Sequence, residues 1–364
     1  MDKQTLNVTE SRKGNAAISV AAVVVVIYGM QAAKVLLVPF LLAVFLAMVS
    51  VRPMLWLQKR RVPAFLAMLL IVVSMMLILT AIGAILGTSI AEFTAALPGY
   101  QARLNVIIEQ TLQLAARFVD DGQTIENLSD LIDPGWAMGL AANLLNALRD
   151  VLTNAFLIMF TMVFILLEAS AFGTKISAAF GSDNPTFLRA RQFLQNLGSY
   201  LGIKTLVSIA TGVTAALGTF WIGLDFPLLW GMFAFLLNYV PTIGSIIAAV
   251  PAVLLAVVQL GPAEAVSTAG LFLGINVVFG TVLEPRLMGS SLNLSGIVIM
   301  LSLAFWGAIW GVIGMVLCVP LTVVLLIVCS KFEGSRPIAV LLSANGDIGD
   351  VSVRVQEADP AATS

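Results

Sequence analysis

The polar residues best suited to bind a solute in this sequence interrupt an apolar stretch at positions 226–260. The interruption carries an amide, a phenol, two hydroxyls, a proline and a glycine, at Asn238, Tyr239, Pro241, Thr242, Gly244 and Ser245. Its uncharged polar groups form hydrogen bonds, and a helix that ends here leaves backbone N–H and C=O groups without intrahelical partners. The set suits a small solute with hydroxyl or carbonyl groups, and its oxygen atoms also suit Na⁺.

The apolar pieces on either side of this interruption, residues 228–237 and 246–260, are shorter than the roughly 20 residues that a helix needs to cross a bilayer. A polar turn at membrane depth is tolerated only where protein or a water-filled cavity surrounds it. Paired, interrupted hydrophobic segments also mark the binding sites of transporters. The sequence therefore predicts a membrane transport protein with a solute site at this turn.

A second apolar run, residues 294–330, is interrupted by a turn that contains three further candidate site residues, Trp306, Gly307 and Gly311. In both runs an Ile-Gly pair is followed a few residues later by Val-Pro. This weak repeat predicts two re-entrant hairpins of opposite orientation whose tips meet near the middle of the membrane. Two full crossings remain an alternative to each hairpin.

Three more candidates lie in and directly after the apolar segment 263–283, at Asn276, Glu284 and Arg286. An ionisable residue at a membrane boundary is a functional candidate by default, but an ion pair between Glu284 and Arg286 that anchors the turn explains the pattern equally well. For Asn276, a hydrogen bond between helices is as reasonable as contact with a ligand. Asp225, before the first hairpin, is expected in a solvated loop.

The composition excludes several classes of protein. Hydrophobic residues make up 59% of the 364 residues and charged residues 11%, against about 25% charge in soluble domains. The chain has no histidine, so it has neither a histidine metal site nor a Ser-His-Asp triad, and no phosphate-binding Gly-Lys-Ser/Thr loop occurs. We therefore expect neither an enzyme, a metal site nor a cofactor. The scattered basic residues predict no nucleic-acid partner, and leave the lipid bilayer and the solute as expected partners.

The pattern of apolar and polar segments predicts an all-α, polytopic membrane fold in six parts. They are a cytoplasmic tail at 1–15, membrane helices at 16–91, amphipathic helices at 92–149, central membrane helices with a cytoplasmic connector at 150–223, a transport region at 224–330 with hairpins at 226–260 and 294–330, and a cytoplasmic tail at 331–364. Lys34 and Pro39 predict a break between the first two helices. In the acidic part, apolar residues recur at helical spacing, which predicts helices packed on the periphery of the membrane domain.

The positions of Lys and Arg predict the orientation of the chain, because cytoplasmic loops are enriched in both residues. They cluster before the first helix, at 52–61, between 169 and Lys204, and after residue 330. Placing all four clusters in the cytoplasm puts both termini inside and the acidic region at 92–149 outside.

Two long stretches resemble the autoinducer-2 exporter family. They read NYVPTIGSIIAAVPAVLLAVV and INVVFGTVLEPRLMGSSLNLSGIVIMLSLAFWGAIWGVIGMVLCVPLTVV, with Glu284-Pro285-Arg286-x-Met288-Gly289 and Phe305-Trp306-Gly307 as the most specific elements. The resemblance implies an inner-membrane protein that exports a furanone-type quorum-sensing signal and assembles as a homo-oligomer, a pentamer. It also implies hairpins that move with the solute in an elevator-like manner, while other relatives exchange Na⁺ or Li⁺ for protons.

The resulting hypothesis is secondary export of a small polar signal, autoinducer-2, across the bacterial inner membrane. The alternative within the same family is a Na⁺ or Li⁺/proton antiporter, for which Glu284 and Asp225 would supply the acidic groups. A third hypothesis, from another class, is a membrane scaffold without transport activity.

Overall fold

Every regular element that the structure describes is helical. The structure is a computed structural model that describes residues 21–115, 134–180, 185–241, 243–288, 294–331 and 334–343. Its helices are α1 (Ala21–Ala32), α2 (Lys34–Lys59), α3 (Ala64–Ala115), α4 (Pro134–Thr153), α5 (Ala155–Phe180), α6 (Pro185–Ile222), α7 (Pro227–Leu237), α8 (Gly244–Gln259), α9 (Pro262–Ile275), a π-helical segment (Asn276–Leu283), α10 (Glu284–Met288), α11 (Gly296–Trp310), α12 (Val312–Lys331) and α13 (Arg336–Leu342).

Several of these helices are long and apolar enough to cross a membrane. Among the described residues there are five such stretches, Lys34–Lys59, Ala64–Ile107, Gln195–Ile222, Pro262–Met288 and Val312–Ser330. A sixth results if the pair Ala142–Thr153 and Ala155–Glu168, bent by 56° at its break, counts as one span. The prediction of an all-α, multi-pass membrane protein is confirmed.

The N-terminal helices follow the sequence pattern at one break and depart from it at another. A turn at Ala33 separates α1 from α2, next to Lys34 where the break was predicted. The predicted boundary between residues 91 and 92 instead falls inside α3, which continues for 52 residues as one helix. Beyond the apolar half, Phe93 of α3 packs edge-on against Phe226 and Trp230, with ring centroids 5.6 and 6.0 Å apart. The acidic stretch therefore begins as an extension of a membrane helix, and its residues 116–133 lie outside the described residues.

The helices α7 and α8 fold back on each other as a helical hairpin, called the first hairpin below. At its open end the backbone N–H of Asp225 donates to Gln259 Oε1 at 3.0 Å, and Gln259 Nε2 donates to the carbonyl of Gly223 at 3.2 Å. These bonds join the chain before α7 to the end of α8. The arms are therefore antiparallel, with 11 and 16 residues.

The helices α11 and α12 form the second hairpin, which reverses at Gly311. Ser302, on one arm, hydrogen-bonds Thr322 on the other and donates to the carbonyl of Cys318 at 3.1 Å. Gly311 has φ 66° and ψ −144°, a conformation that is strongly disfavoured for residues other than glycine. The first arm has only 15 residues, whereas Val312–Ser330 is long enough for a full crossing, so the two arms differ in length and the re-entrant form of this hairpin stays a prediction.

The first hairpin lies directly on α6, with two glycines at the contact. A Cβ atom on Gly212 would lie 2.8 Å from the carbonyl oxygen of Gly231, and one on Gly231 would lie 2.7 Å from the carbonyl oxygen of Gly212. The two backbones are thus in direct contact, as small residues allow in membrane helices. Trp230 and Phe233 of α7 are fully buried beside this contact. Helix α6 and the first hairpin consequently form one closely packed unit.

Candidate functional site

The tip of the first hairpin is held against α6 by uncharged hydrogen bonds. Asn238 Nδ2 donates to Ser208 Oγ at 2.9 Å, and the Tyr239 hydroxyl donates to Thr205 Oγ1 at 2.8 Å. Tyr239 is 5% exposed. The ring of Phe45, from α2, contacts its edge with centroids 5.4 Å apart. The two polar residues of the tip therefore face protein rather than lipid, which is the condition for a polar turn at membrane depth.

The start of α8 is joined to the π-helical segment. Ser245 Oγ donates to Asn276 Oδ1 at 2.9 Å, and Asn276 is the first residue of the π-helical segment, which ends at Leu283. A π-helical turn widens the helix and shifts its backbone hydrogen bonds, and such turns are frequent at functional sites. The hydrogen bond between helices that was one alternative for Asn276 is therefore present, and contact of Asn276 with a ligand stays a prediction.

An ion pair joins α6 to the start of α10. Lys204 Nζ on α6 lies 2.5 Å from Glu284 Oε1, and the two side chains are 4% and 19% exposed. Arg286 is exposed and Lys204 is the partner of Glu284, so the alternative in which Glu284 pairs with Arg286 is not the one that the structure has. Lys204 is buried within α6 rather than placed in a loop, and the orientation expected from the basic clusters stays a prediction. Glu284 directly follows the π-helical segment as the first residue of α10, and Lys204 reaches it there across the helix interface.

The tip of the second hairpin makes its hydrogen bonds elsewhere. Trp310 Nε1 donates to the carbonyl of Met30 in α1 at 3.1 Å, and Trp306 Nε1 donates to Thr322 Oγ1 at 3.1 Å within its own hairpin. Gly307 packs against Met315 of the returning arm, where an added Cβ would lie 3.0 Å from that side chain. The meeting of the two tips near the middle of the membrane stays a prediction.

A separate polar network closes the open end of the first hairpin. The Tyr100 hydroxyl of α3 donates to Asp225 Oδ2 at 2.8 Å, and Trp230 Nε1 donates to the carbonyl of Asp225 at 2.8 Å. Asp225 is exposed, as expected for a loop residue, but it also ties α3 to the hairpin.

Comparison with known proteins agrees with this architecture. The sequence profile described as AI-2E family transporter matches residues 18–334. The chain belongs to the AI-2E transporter family. This AI-2E transporter is 36% identical over 330 residues to the AI-2 transport protein TqsA of Escherichia coli (strain K12), covering 90% of this chain and 94% of that protein. It is therefore a transporter and not an enzyme.

Other relatives of this AI-2E transporter are almost as similar along the chain. YhhT of Escherichia coli (strain K12) is 34% identical over 325 residues, covering 89% of this chain and 93% of that protein. A transport protein of Haemophilus influenzae is 32% identical over 338 residues, covering 92% of this chain and 96% of its own length. These relatives come from bacteria, and the chain is a multi-pass member of a bacterial transporter family.

The structure brings some predicted site residues of this AI-2E transporter together and leaves others apart. Around the first tip it gathers Asn238, Tyr239, Pro241, Gly244, Ser245 and Asn276. Glu284 lies at the other end of the π-helical segment, while Arg286 is exposed. The hydrogen bonds of Trp306 and the turn at Gly311 belong to the second hairpin. Thr242 lies outside the described residues.

The side chains of α6 that contact the first tip and Glu284 were not predicted from the sequence. Lys204, Ser208 and Thr211 follow one another at helical spacing, and Thr205 lies beside Lys204 on the same helix. This spacing places Lys204, Ser208 and Thr211 on one face, with Thr205 at its edge. Three of the four residues hold the first tip or Glu284. The polar face of an otherwise apolar helix was the available signal.

Proposed function

We propose that this transporter exports a small, neutral, polar quorum-sensing signal, autoinducer-2, across the bacterial inner membrane by secondary transport. The observation that carries the proposal is the chemistry of the first tip. Asn238 and Tyr239 are uncharged, and both bond to uncharged hydroxyls of α6 at 2.9 and 2.8 Å. The charged groups nearby, Lys204 and Glu284, already neutralise each other. Such a site matches a hydroxylated solute better than an ion with a net charge.

The relative TqsA, whose name states AI-2 transport, supports this choice of solute. In the proposed mechanism the first hairpin and α6 move together past the remaining helices in an elevator-like manner, with both hairpins re-entrant. The direct backbone contact between Gly212 and Gly231 supports movement as one body. The protein would act as a homo-oligomer, a pentamer by its resemblance to the family.

A second candidate function is Na⁺ or Li⁺/proton antiport. The ion pair of Lys204 and Glu284 favours it, because ionisable residues inside a membrane domain often mark proton or ion pathways. Under this hypothesis Glu284 releases Lys204 when it takes up a proton. The exporter hypothesis does not require Glu284 to take up a proton during transport.

Purified protein in proteoliposomes tests both functions in one assay. The exporter hypothesis predicts movement of autoinducer-2 down its gradient, counterflow of labelled signal, and no proton flux on addition of Na⁺. The antiporter hypothesis predicts Na⁺-dependent proton movement and no counterflow of signal. A scaffold would show neither, and that result would contradict both proposals.

Substitution of the tip amide checks its role as a solute contact. We expect Asn238→Leu to raise the KM for autoinducer-2 by roughly 5- to 150-fold, because each lost hydrogen bond costs roughly 1–3 kcal/mol and 1.4 kcal/mol is tenfold in affinity. The measurement is concentration-dependent counterflow. Asn146→Leu, the same change at an exposed amide of α4, serves as the control and should leave KM unchanged. A wild-type KM in Asn238→Leu would remove the tip amide from the site.

The orientation of the chain is proposed from the basic residues that remain in connecting segments. Lys204 is not one of these residues, because it is buried in α6. The cluster Lys59, Arg60 and Arg61 lies at the turn after α2 and is exposed. Cytoplasmic loops are rich in such residues, so we place this turn and both termini in the cytoplasm and the turn between α8 and α9 outside.

Cysteine labelling checks this orientation. In a Cys318→Ala, Cys329→Ala background, Ala263→Cys at the start of α9 should react with an impermeant thiol reagent in intact spheroplasts. Lys59→Cys should react only after lysis. Both positions are exposed in the structure. The reverse pattern would invert the proposed topology.

A further inference from the structure

Helix α6 carries a row of polar side chains toward the first hairpin and the π-helical segment. Lys204 pairs with Glu284 at 2.5 Å, Thr205 accepts from Tyr239 at 2.8 Å and Ser208 accepts from Asn238 at 2.9 Å. The next polar residue on this face, one turn further along the helix, is Thr211. The row of polar side chains on α6 therefore continues past Ser208 to Thr211.

The hydroxyl of Thr211 is buried and has no hydrogen-bond partner among the described residues. The residue is 5% exposed. Other threonines of α6 satisfy their hydroxyls within the helix, as Thr214 does with the carbonyl of Ala210 and Thr219 with that of Ala215, each at 2.8 Å. Buried hydroxyls are nearly always paired, so an unpaired one is a candidate for contact with a bound ligand.

The register of α6 against the segment from α9 to α10 places Thr211 opposite the start of the π-helical segment. Gly218 of α6 contacts Leu271 at one end of this interface, and Lys204 contacts Glu284 at the other. Thr211 lies halfway between Gly218 and Lys204, and the π-helical segment begins about halfway between Leu271 and Glu284. The unpaired hydroxyl is thus level with Asn276.

The residues of α6 around Thr211 contact the first hairpin. Its neighbour Gly212 contacts Gly231 and Phe235 of α7, where an added Cβ would lie 2.8 Å from an atom of each. One turn earlier on α6, Ser208 holds Asn238 of the tip. Thr211 therefore lies between two elements that each carry an amide.

We propose that Thr211 is a solute-binding residue, whose hydroxyl forms a hydrogen bond with an oxygen atom of a neutral, hydroxylated solute held between Asn238 and Asn276. The proposal rests on the proposed function and names a contact on α6 that completes the same site. Because Thr211 is buried in this conformation, the solute reaches it when the π-helical segment separates from α6. The Thr211 hydroxyl then gains a hydrogen bond to the solute, which stabilises the solute-bound conformation.

The test compares Thr211→Val, which has nearly the same shape without the hydroxyl, with Thr211→Ser, which keeps it. In proteoliposomes with autoinducer-2 as the probe, we expect Thr211→Val to raise KM about tenfold with little change in maximal rate. Thr211→Ser should restore most of the affinity. In the absence of the signal, the melting temperature of Thr211→Val should equal or exceed that of the wild type, since no hydrogen bond of the resting state is lost.

Thr219→Val is the matched control, because Thr219 lies on the same helix, is also buried and has a paired hydroxyl. It should lower the melting temperature and leave KM unchanged. A wild-type KM in Thr211→Val overturns the inference alone. A lower melting temperature of Thr211→Val without signal would assign the hydroxyl a structural role and also overturn it. Failure of the wild type to bind or move the signal contradicts the proposed function, and with it this inference.

Discussion

Replacing Glu284 by glutamine is expected to destabilise the transporter by about 3–5 kcal/mol, because removal of one partner leaves a buried charge uncompensated. Lys204 is the more buried partner, at 4% against 19% side-chain exposure. Glu284→Gln should therefore cost more than Lys204→Met, which leaves the partly exposed carboxylate. Thermal unfolding of detergent-solubilised protein measures both. Arg286→Gln is the control, and we expect it to change stability by no more than about 0.5 kcal/mol, as is usual at exposed positions.

The double variant Lys204→Met, Glu284→Leu separates the structural role of the pair from a role in coupling. Replacing a buried ion pair by apolar residues of similar volume is often neutral for stability, so the double variant should recover most of the loss. Recovery of both stability and autoinducer-2 transport would support the exporter hypothesis. Recovery of stability without transport, together with Na⁺-dependent proton flux in the wild type, would support the antiporter hypothesis instead. A double variant as unstable as Glu284→Gln would contradict the view that uncompensated charge causes the loss.

Adding one methyl group at the first tip is expected to have a comparably large effect. In Gly244→Ala the new Cβ would lie 1.8 Å from the carbonyl oxygen of Leu237. Backbone at both positions would have to move, and we expect a loss of at least about 3 kcal/mol, at the upper end of the cost of overpacking. The variant should show a lower melting temperature and no counterflow of autoinducer-2.

The second hairpin offers a parallel case and α9 offers a control. In Gly314→Ala the new Cβ would lie 2.0 Å from the carbonyl oxygen of Trp306, and a similar loss of stability is expected. At Gly270, within α9, an added Cβ meets nothing within 4 Å. Gly270→Ala should therefore stabilise the helix by roughly 0.5–1 kcal/mol through reduced chain entropy. Normal stability of Gly244→Ala would show that the tip adopts a different backbone in the membrane.

Gly244 and Gly314, the glycines of the two Ile-Gly pairs, make similar contacts in the two hairpins. Gly244 begins the second arm of the first hairpin, and Gly314 lies at the start of the second arm of the second hairpin. Each lies against the carbonyl oxygen of a residue near the end of the first arm, Leu237 or Trp306. The Ile-Gly pairs of the sequence therefore occupy equivalent places in two hairpins, although the opposite orientation of the hairpins stays a prediction.

The sequence alone determined the features that depend on local pattern. Long apolar runs require helices in a bilayer, because backbone hydrogen bonds cannot be made with lipid. The interruptions at residues 238–245 and 305–314 located both turns, since glycine permits tight turns and proline disfavours a helix interior. A single proline was a weaker signal, because Pro39 and Pro251 lie inside helices. The first tip could also be identified as a polar site from the sequence, because its polar side chains lie in a stretch that is otherwise apolar.

Only the tertiary structure decided which side chains meet. Glu284 has Arg286 two positions away in the chain, but its partner is Lys204, 80 residues earlier. Neighbouring side chains on a helix point in different directions, whereas packing of α6 on the π-helical segment brings the lysine to the carboxylate. The same packing left Thr211 buried without a hydrogen-bond partner among the residues that the structure describes. Local sequence specifies where a helix breaks, while the register between distant helices depends on how whole faces fit together, with glycines at the closest contacts.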